Sequence, residues 1–346
     1  MMEQGYAYLD PTQDATYLCF SDPPQALDVY SDGAPLSFAA NQIDRGTSAA
    51  CPWRVKIPAN AAKIENAKRP GNSLSHCPIV RSPASDHAVQ GTLHVLTIAI
   101  SSHGPKSTYA ALPSAIPSAL ALEKLFASQP RGLGHPFRDI IVESGLRDGE
   151  IPPTLANIRD SWSKMARSIK SDDTVFLFLS GHGLVPPGTE SFYFAPLDFD
   201  PTTLSTIRNT GLNVAMLADM LRAMPARRVV IVIDACQSGA AVTSLAKVAE
   251  VKANVEKARN ANRPVGVYVL ASATALQNAT ASPEGDVGPV AEAILKLATP
   301  EKQREATRVS AGQVLDRICT SLLSKTAQTP LIHSSGTNFD LIEQRY

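Results

Sequence analysis

Two residues able to work together as nucleophile and base stand at matching places in this sequence. His182 lies in Ser180-Gly181-His182-Gly183, just after the apolar run 174–179, and Cys236 lies in Asp234-Ala235-Cys236-Gln237-Ser238-Gly239, just after the apolar run 229–233. A cysteine at its free pKa of about 8.5 is only a few per cent thiolate at neutral pH. A histidine in reach takes its proton and returns one to a leaving amine. The neighbouring Gly181, Gly183 and Gly239 let backbone come close to a substrate and aim N–H groups at a developing oxyanion. Each residue alone also reads as a turn histidine or a small core cysteine. The pairing at two strand ends, His first and Cys second, is the specific signal.

The elements that must position this pair follow from periodicity. Near-continuous apolar runs at 93–101, 174–180, 228–235 and 265–272 predict buried strands, and 138–144 is a further strand candidate. Helical patterns separate them. A proline-opened helix is expected at 117–128, and a second at 154–170 carries Leu155, Ile158, Trp162, Met165 and Ile169 behind a Thr cap. Further helices fall at 213–224, near 288–298 and at 309–325. This alternation predicts an α/β fold, a three-layer α/β/α sandwich with a mainly parallel sheet. Reactive groups in such sheets gather at the carboxyl ends of the strands, where both residues lie. Residues 1–92 differ, with short strand-like runs among turn residues and a Pro/Ser/Gly-rich stretch at 68–91. They predict a small β-rich prodomain or accessory region with a linker, ahead of a main domain at 93–346.

Composition narrows the function classes. Thirty-two Lys plus Arg balance thirty-two Asp plus Glu across 346 residues, so no global field points to nucleic acid or an acidic membrane. No apolar run approaches the ~20 residues of a membrane helix, and the first residues lack a signal pattern. The five cysteines, at 19, 51, 77, 236 and 319, are scattered without a CxxC, so neither a disulfide framework nor a zinc site is expected. This reads as a cytoplasmic protein with free thiols and no cofactor. His76 and Cys77 lack further ligands at zinc spacing. Cys319, at helical spacing with Leu315 and Leu322, reads as core. Asp172-Asp173 reads as a solvated turn.

"SGHG" followed by "DACQSG" resembles the caspase-like cysteine peptidases, especially the metacaspase and bacterial orthocaspase branch. The histidine precedes the cysteine by 54 residues, close to the spacing of about 50 in that family. The likeness extends through "FYFAPLDFD", "YVLASATALQNA" and "QTPLIHSSGTNFDL", over about residues 93–342. It implies a thiol endopeptidase with Cys236 as nucleophile and His182 as general acid/base. The backbone N–H groups of Gly183 and Cys236 would form the oxyanion hole. It implies protein substrates and, from relatives, a regulated zymogen in a bacterial cell-death or defence pathway, released by a partner or an upstream protease. Calcium dependence occurs in some metacaspases, but no site maps onto this chain.

Asp234 stands two residues before Cys236, on the same face of an extended strand. In the metacaspase branch the acid there lines the primary pocket and accepts Arg or Lys; the alternative is a cap on the following turn. Many relatives carry a second pocket acid in the helix after the first strand, where this chain has Ser118. A further acid has become Ala281, and "DVGPV" replaces a His-Gly-x-Phe-Thr stretch. His103, after the first strand, is a candidate for the cleft wall or a polar turn. The polar segment 244–264 offers Lys247, Lys252, Lys257, Arg259 and Arg263 for self-cleavage, as does the 68–91 linker, the alternative being an exposed helix. A scaffold or adaptor that binds peptides without cutting is the rival reading, favoured by the missing pocket acid and opposed by the intact His182 and Cys236.

Overall fold

The computed structural model describes residues 91–103, 109–143, 145–147, 150–189, 191–259, 265–273, 286–298, 308–326 and 328–344, together with eight strands within the first 74 residues. The chain forms two compact units, Met1–Pro78 and Ile79–Tyr346. In the first, the strands are β1 (Gly5–Asp10), β2 (Ala15–Phe20), β3 (Leu27–Ser31), β4 (Ala34–Phe38), β5 (Ile43–Ser48), β6 (Cys51–Ile57), β7 (Ile64–Arg69) and β8 (Asn72–Leu74). They make two four-stranded antiparallel sheets, ordered β1-β2-β6-β5 and β4-β3-β7-β8. The last two strands take up the first part of the stretch that reads as a linker.

The second unit is a mixed α/β fold around a mainly parallel sheet. Its strands are β9 (Thr92–Ala99), β10 (Asp139–Val142), β11 (Leu146–Arg147), β12 (Thr174–Ser180), β13 (Gly183–Leu184), β14 (Tyr193–Phe194), β15 (Leu212–Asn213), β16 (Arg228–Asp234), β17 (Gly266–Ala271), β18 (Arg308–Ser310), β19 (Leu331–Gly336) and β20 (Asp340–Glu343). The helices are α1 (Ala115–Ala127), α2 (Leu155–Ser168), α3 (Leu204–Thr210), α4 (Val214–Ala223), α5 (Gly239–Arg259), α6 (Pro289–Ala298) and α7 (Ala311–Lys325). The central sheet runs β10-β9-β12-β16-β17-β19, with β11 also on β9. All its pairings are parallel except that of β19 with β17.

Strand period and helix stripe explain the layering. On β12, Val175, Leu177 and Leu179 face a core shared with α2, α4 and α5. Phe176 and Phe178, pointing the other way, join α1, α6 and α7. A strand buried on both faces has no polar alternation to show, hence the unbroken apolar runs in the sequence. Thr154 caps α2 as its position suggests, its hydroxyl accepting from the Asn157 N–H at 3.2 Å.

Two readings change and one open alternative is met. Segment 244–264 takes its helical alternative over its first sixteen residues, which belong to α5, starting at Gly239. That helix buries Leu245, Val248, Ala249 and Ala253 while Val251 and Val255 stay exposed, so its apolar residues never form one legible stripe. Asp172-Asp173 is not a solvated turn. Asp173 is buried, accepts from the Thr92 N–H at 2.8 Å and the Lys170 N–H at 2.7 Å, and meets His94 at 3.3 Å, while Asp172 pairs with the fully buried Arg227. Cys319 is core as expected, with no exposure, but it is disulfide-bonded. A disulfide does not fit the reducing compartment that the scattered cysteines suggest.

Candidate active site

Parallel pairing sets the height of the two reactive residues. β12 and β16 are immediate neighbours, in register from Thr174 opposite Arg228 to Ser180 opposite Asp234. A further bond from the Gly181 N–H to the Asp234 carbonyl, 3.2 Å, carries that register past the strands. His182 and Cys236 are each two residues beyond the last pair, so both follow the carboxyl ends of neighbouring strands, and Gly183 lies close against the Cys236 carbonyl.

Cys236 is half-buried and is not part of a disulfide. It sits in the short turn between β16 and α5, whose first coils are closed by Ala240 N–H to Gln237 carbonyl (3.3 Å) and Ala241 N–H to Ser238 carbonyl (2.9 Å). Gln237 adopts φ 57°, the left-handed region that residues other than glycine rarely enter. Its Oε1 accepts the Val185 N–H at 2.6 Å, tying the loop after Cys236 to the loop after His182.

The His182 ring is fixed from the far side. Its Nε2 lies 2.7 Å from the Ala110 carbonyl. A carbonyl only accepts, so Nε2 holds the proton of the neutral ring and Nδ1 is the basic nitrogen. Burial pushes the His182 pKa down, against the Ala110 bond, and the nearby His103 pushes the same way as burial. The imidazole is therefore neutral at ordinary pH. Tyr109 stacks on it with ring centroids 4.7 Å apart, and His103 lies at 5.6 Å. The His103 Nε2 donates to the Ala195 carbonyl at 3.2 Å.

Gly183 is demanded by space. A Cβ there would lie 2.5 Å from the Cys236 carbonyl oxygen and 2.6 Å from the Phe192 ring. The Ala195 N–H bonds the His182 carbonyl at 2.9 Å, which makes Gly183 and Phe194 a non-hydrogen-bonded pair. The Gly183 N–H therefore turns away from β14.

Asp234 ends β16 beside this pair. Burial raises its pKa to about 6, partly offset by the nearby Ser272 hydroxyl. No cation faces it among the described residues. Ser118 does not line a pocket: it is 1% exposed, its hydroxyl donates to the Ser114 carbonyl at 2.6 Å and it accepts the Gly288 N–H at 2.8 Å, joining α1 to the residue before α6. Lys252 is not an accessible cut site either; it is buried, with Nζ 2.5 Å from the Met224 carbonyl. Lys247 is exposed but helical, Lys257 and Arg259 lie in the last turn of α5, and Arg263 and Ala281 fall outside the described residues, as does the linker beyond β8. Sequence reasoning missed Ala110, Tyr109 and Gln237. The first two sit in an irregular stretch without periodicity, and the third is legible only as a residue squeezed between strand and helix. Among the described residues no group of three or more His, Cys, Asp or Glu could hold a metal ion, and no helix is long and apolar enough to cross a membrane.

The caspase domain model matches residues 94–342, which spans both reactive strands and most of the chain. The chain belongs to the caspase domain family and is a cysteine peptidase, a hydrolase acting on proteins. It is also similar to a solved structure, protein GSU0716 from Geobacter sulfurreducens, at 14% identity over 71% of this chain and 94% of that one, with a TM-score of 0.46. No curated protein matches the sequence.

Proposed function

We propose that the protein is an endopeptidase that cleaves after arginine or lysine through a His182–Cys236 dyad. Cys236 gives up its proton to His182 Nδ1 and attacks the scissile carbonyl; His182 then returns a proton to the leaving amine, and water releases the acyl group by the reverse path. The Ala110 carbonyl holds the ring in the tautomer that this requires. The backbone N–H groups of Gly183 and Cys236 receive the oxyanion, a contribution of about 3–4 kcal/mol per donor in acyl transfer. Asp234, desolvated and faced by no cation among the described residues, takes the charged side chain before the scissile bond. The single observation that carries the reading is the in-register pairing of β12 and β16, which supports an imidazole and a thiol acting together just past the ends of two neighbouring strands.

Regulation by processing or by a partner, in a bacterial cell-death or defence setting, rests on the metacaspase-like motifs. The α5 helix directs any processing away from Lys247 and Lys252, since a peptidase cleft takes extended chain. Residence in the cytoplasm requires the Cys319 disulfide to be reduced or protected there. Cleavage of a peptide library by wild type and by Cys236→Ala tests the activity: cuts after Arg and Lys, absent in the variant, are expected. Equal behaviour of the two proteins returns the adaptor reading.

A further inference from the structure

The rim beside Asp234 holds a second polar group whose bonding is half complete. The register of β16 with β17 places Ile233 opposite Ala271, and the Ser272 N–H donates to the Ile233 carbonyl at 3.0 Å, so Ser272 lies alongside Asp234. Over Ser272 sits Gln328, only 2% exposed, which comes from the segment before β19. Its backbone N–H donates to Thr326 Oγ1 at 3.1 Å and its Nε2 donates to the Ser272 carbonyl at 3.2 Å. That second bond orients the amide, because only the nitrogen end can face a carbonyl. The other end, Oε1, is buried without a partner, as is Ser272 Oγ, which lies near enough to Asp234 to favour its charge but outside bonding geometry. Buried acceptors left unmade are costly and rare, and ask for a ligand that donates.

We propose that Gln328 is a specificity residue: its Oε1 accepts an N–H of a bound guanidinium, so that the Asp234 pocket selects arginine over lysine. The proposal deepens the Arg/Lys reading above and rests on it. A guanidinium presents five N–H groups in a planar fork, of which a carboxylate satisfies two. The outward ones need a second acceptor, and Gln328 Oε1, on an amide bonded to the Ser272 carbonyl next to Asp234, is an unclaimed one. A lysine ammonium is a compact charge that one carboxylate and a hydroxyl serve equally well.

The test compares kcat/KM on two peptides that differ only in Arg or Lys before the scissile bond, for wild type, Gln328→Met and Gln328→Glu, with thermal unfolding run on each. Wild type should favour arginine at least about tenfold. Gln328→Met, close in volume but without the acceptor, should lose about tenfold or more on arginine and under about threefold on lysine, and Gln328→Glu should keep the preference. Parallel losses on both peptides, leaving the ratio unchanged, mean a merely structural role and overturn the proposal alone. Failure of wild type to cut after either residue overturns the reading beneath it as well. On the unaltered protein, butylguanidine should inhibit at least about tenfold more tightly than butylamine; equal inhibition by the two overturns the proposal without any variant.

Discussion

The two rims of the central sheet handle buried charge in opposite ways. At the amino rim, each buried charge meets an opposite charge or backbone. Asp173 accepts two backbone N–H groups and faces His94, Arg227 pairs with Asp172 and donates to the Ser171 carbonyl, and Arg228 donates to Thr174 and to the Asp172 carbonyl. The bonds from His94, Thr92 and Lys170 outweigh burial and hold the Asp173 pKa below its ordinary value. At the carboxyl rim Asp234, half-buried, is pushed up to about 6 by desolvation, with no cation facing it among the described residues. Paired charge marks a joint that holds the fold together, here locking the start of β9 to the turn before β12. Unpaired buried charge marks a place kept ready for something that arrives, and carries a cost in the empty protein.

The largest effect expected from breaking this contrast is in opposite quantities at the two rims. Asp173→Ala should cost about 3–5 kcal/mol of stability, measured by denaturant unfolding, with kcat/KM of the folded fraction unchanged. Asp234→Ala should cost at least about a hundredfold in kcat/KM on Arg and Lys peptides while the protein stays folded. Removing its carboxylate should raise stability at neutral pH by about 1–3 kcal/mol, since a raised pKa means that the charged form is disfavoured in the fold. A tenfold or smaller loss of activity would place the carboxylate at the edge of the site.

The pH dependence has two opposite signs. Asp173, depressed, contributes stability that is present above its unfolded value of 3.8 and is lost as pH falls through its lower folded value. Asp234, raised, imposes its cost above about pH 6 and is relieved as pH drops from about 6 toward 3.8. Stability of wild type relative to Asp234→Asn should therefore improve over that window, and turnover of cationic substrates should fall in the same window as the carboxylate takes up a proton. A turnover limb unchanged in Asp234→Asn would assign the titration elsewhere.

Smaller effects sharpen the geometry of the carboxyl rim. Gly183→Ala forces a Cβ against the Cys236 carbonyl and the Phe192 ring, so at least about tenfold in kcat should go, with KM little changed, if the backbone there serves the transition state. Gln237→Ala removes the bond to Val185 and the side chain that braces a left-handed residue; about 1 kcal/mol of stability and a few-fold in kcat are expected from unfolding and steady-state measurements.

Sequence made much of this legible where one signal decided the outcome. Apolar runs marked the four central strands because strands covered on both faces have no other pattern, and the glycine-flanked His182 and the Cys236 three residues before Gly239 marked the ends of two of them. The remainder depended on partners distant in the chain. Whether Asp173 is solvated depends on Thr92 and His94, some eighty residues earlier. Whether Ser118 reaches a ligand depends on Gly288, 170 residues later. Ala110 and Gln328 come from irregular segments whose place is set by tertiary contacts alone, and α5 hid its extent because apolar residues lie on its exposed face too.

The account stands most directly on the coupling of the thiol to the imidazole. Alkylation of Cys236 by an arginyl chloromethyl ketone, followed by mass spectrometry in wild type and His182→Ala, reads that coupling. The account predicts selective labelling of Cys236 in wild type, slowed at least about a hundredfold in the variant near neutral pH. Equal rates in the two proteins, or no labelling of Cys236 in either, would contradict it.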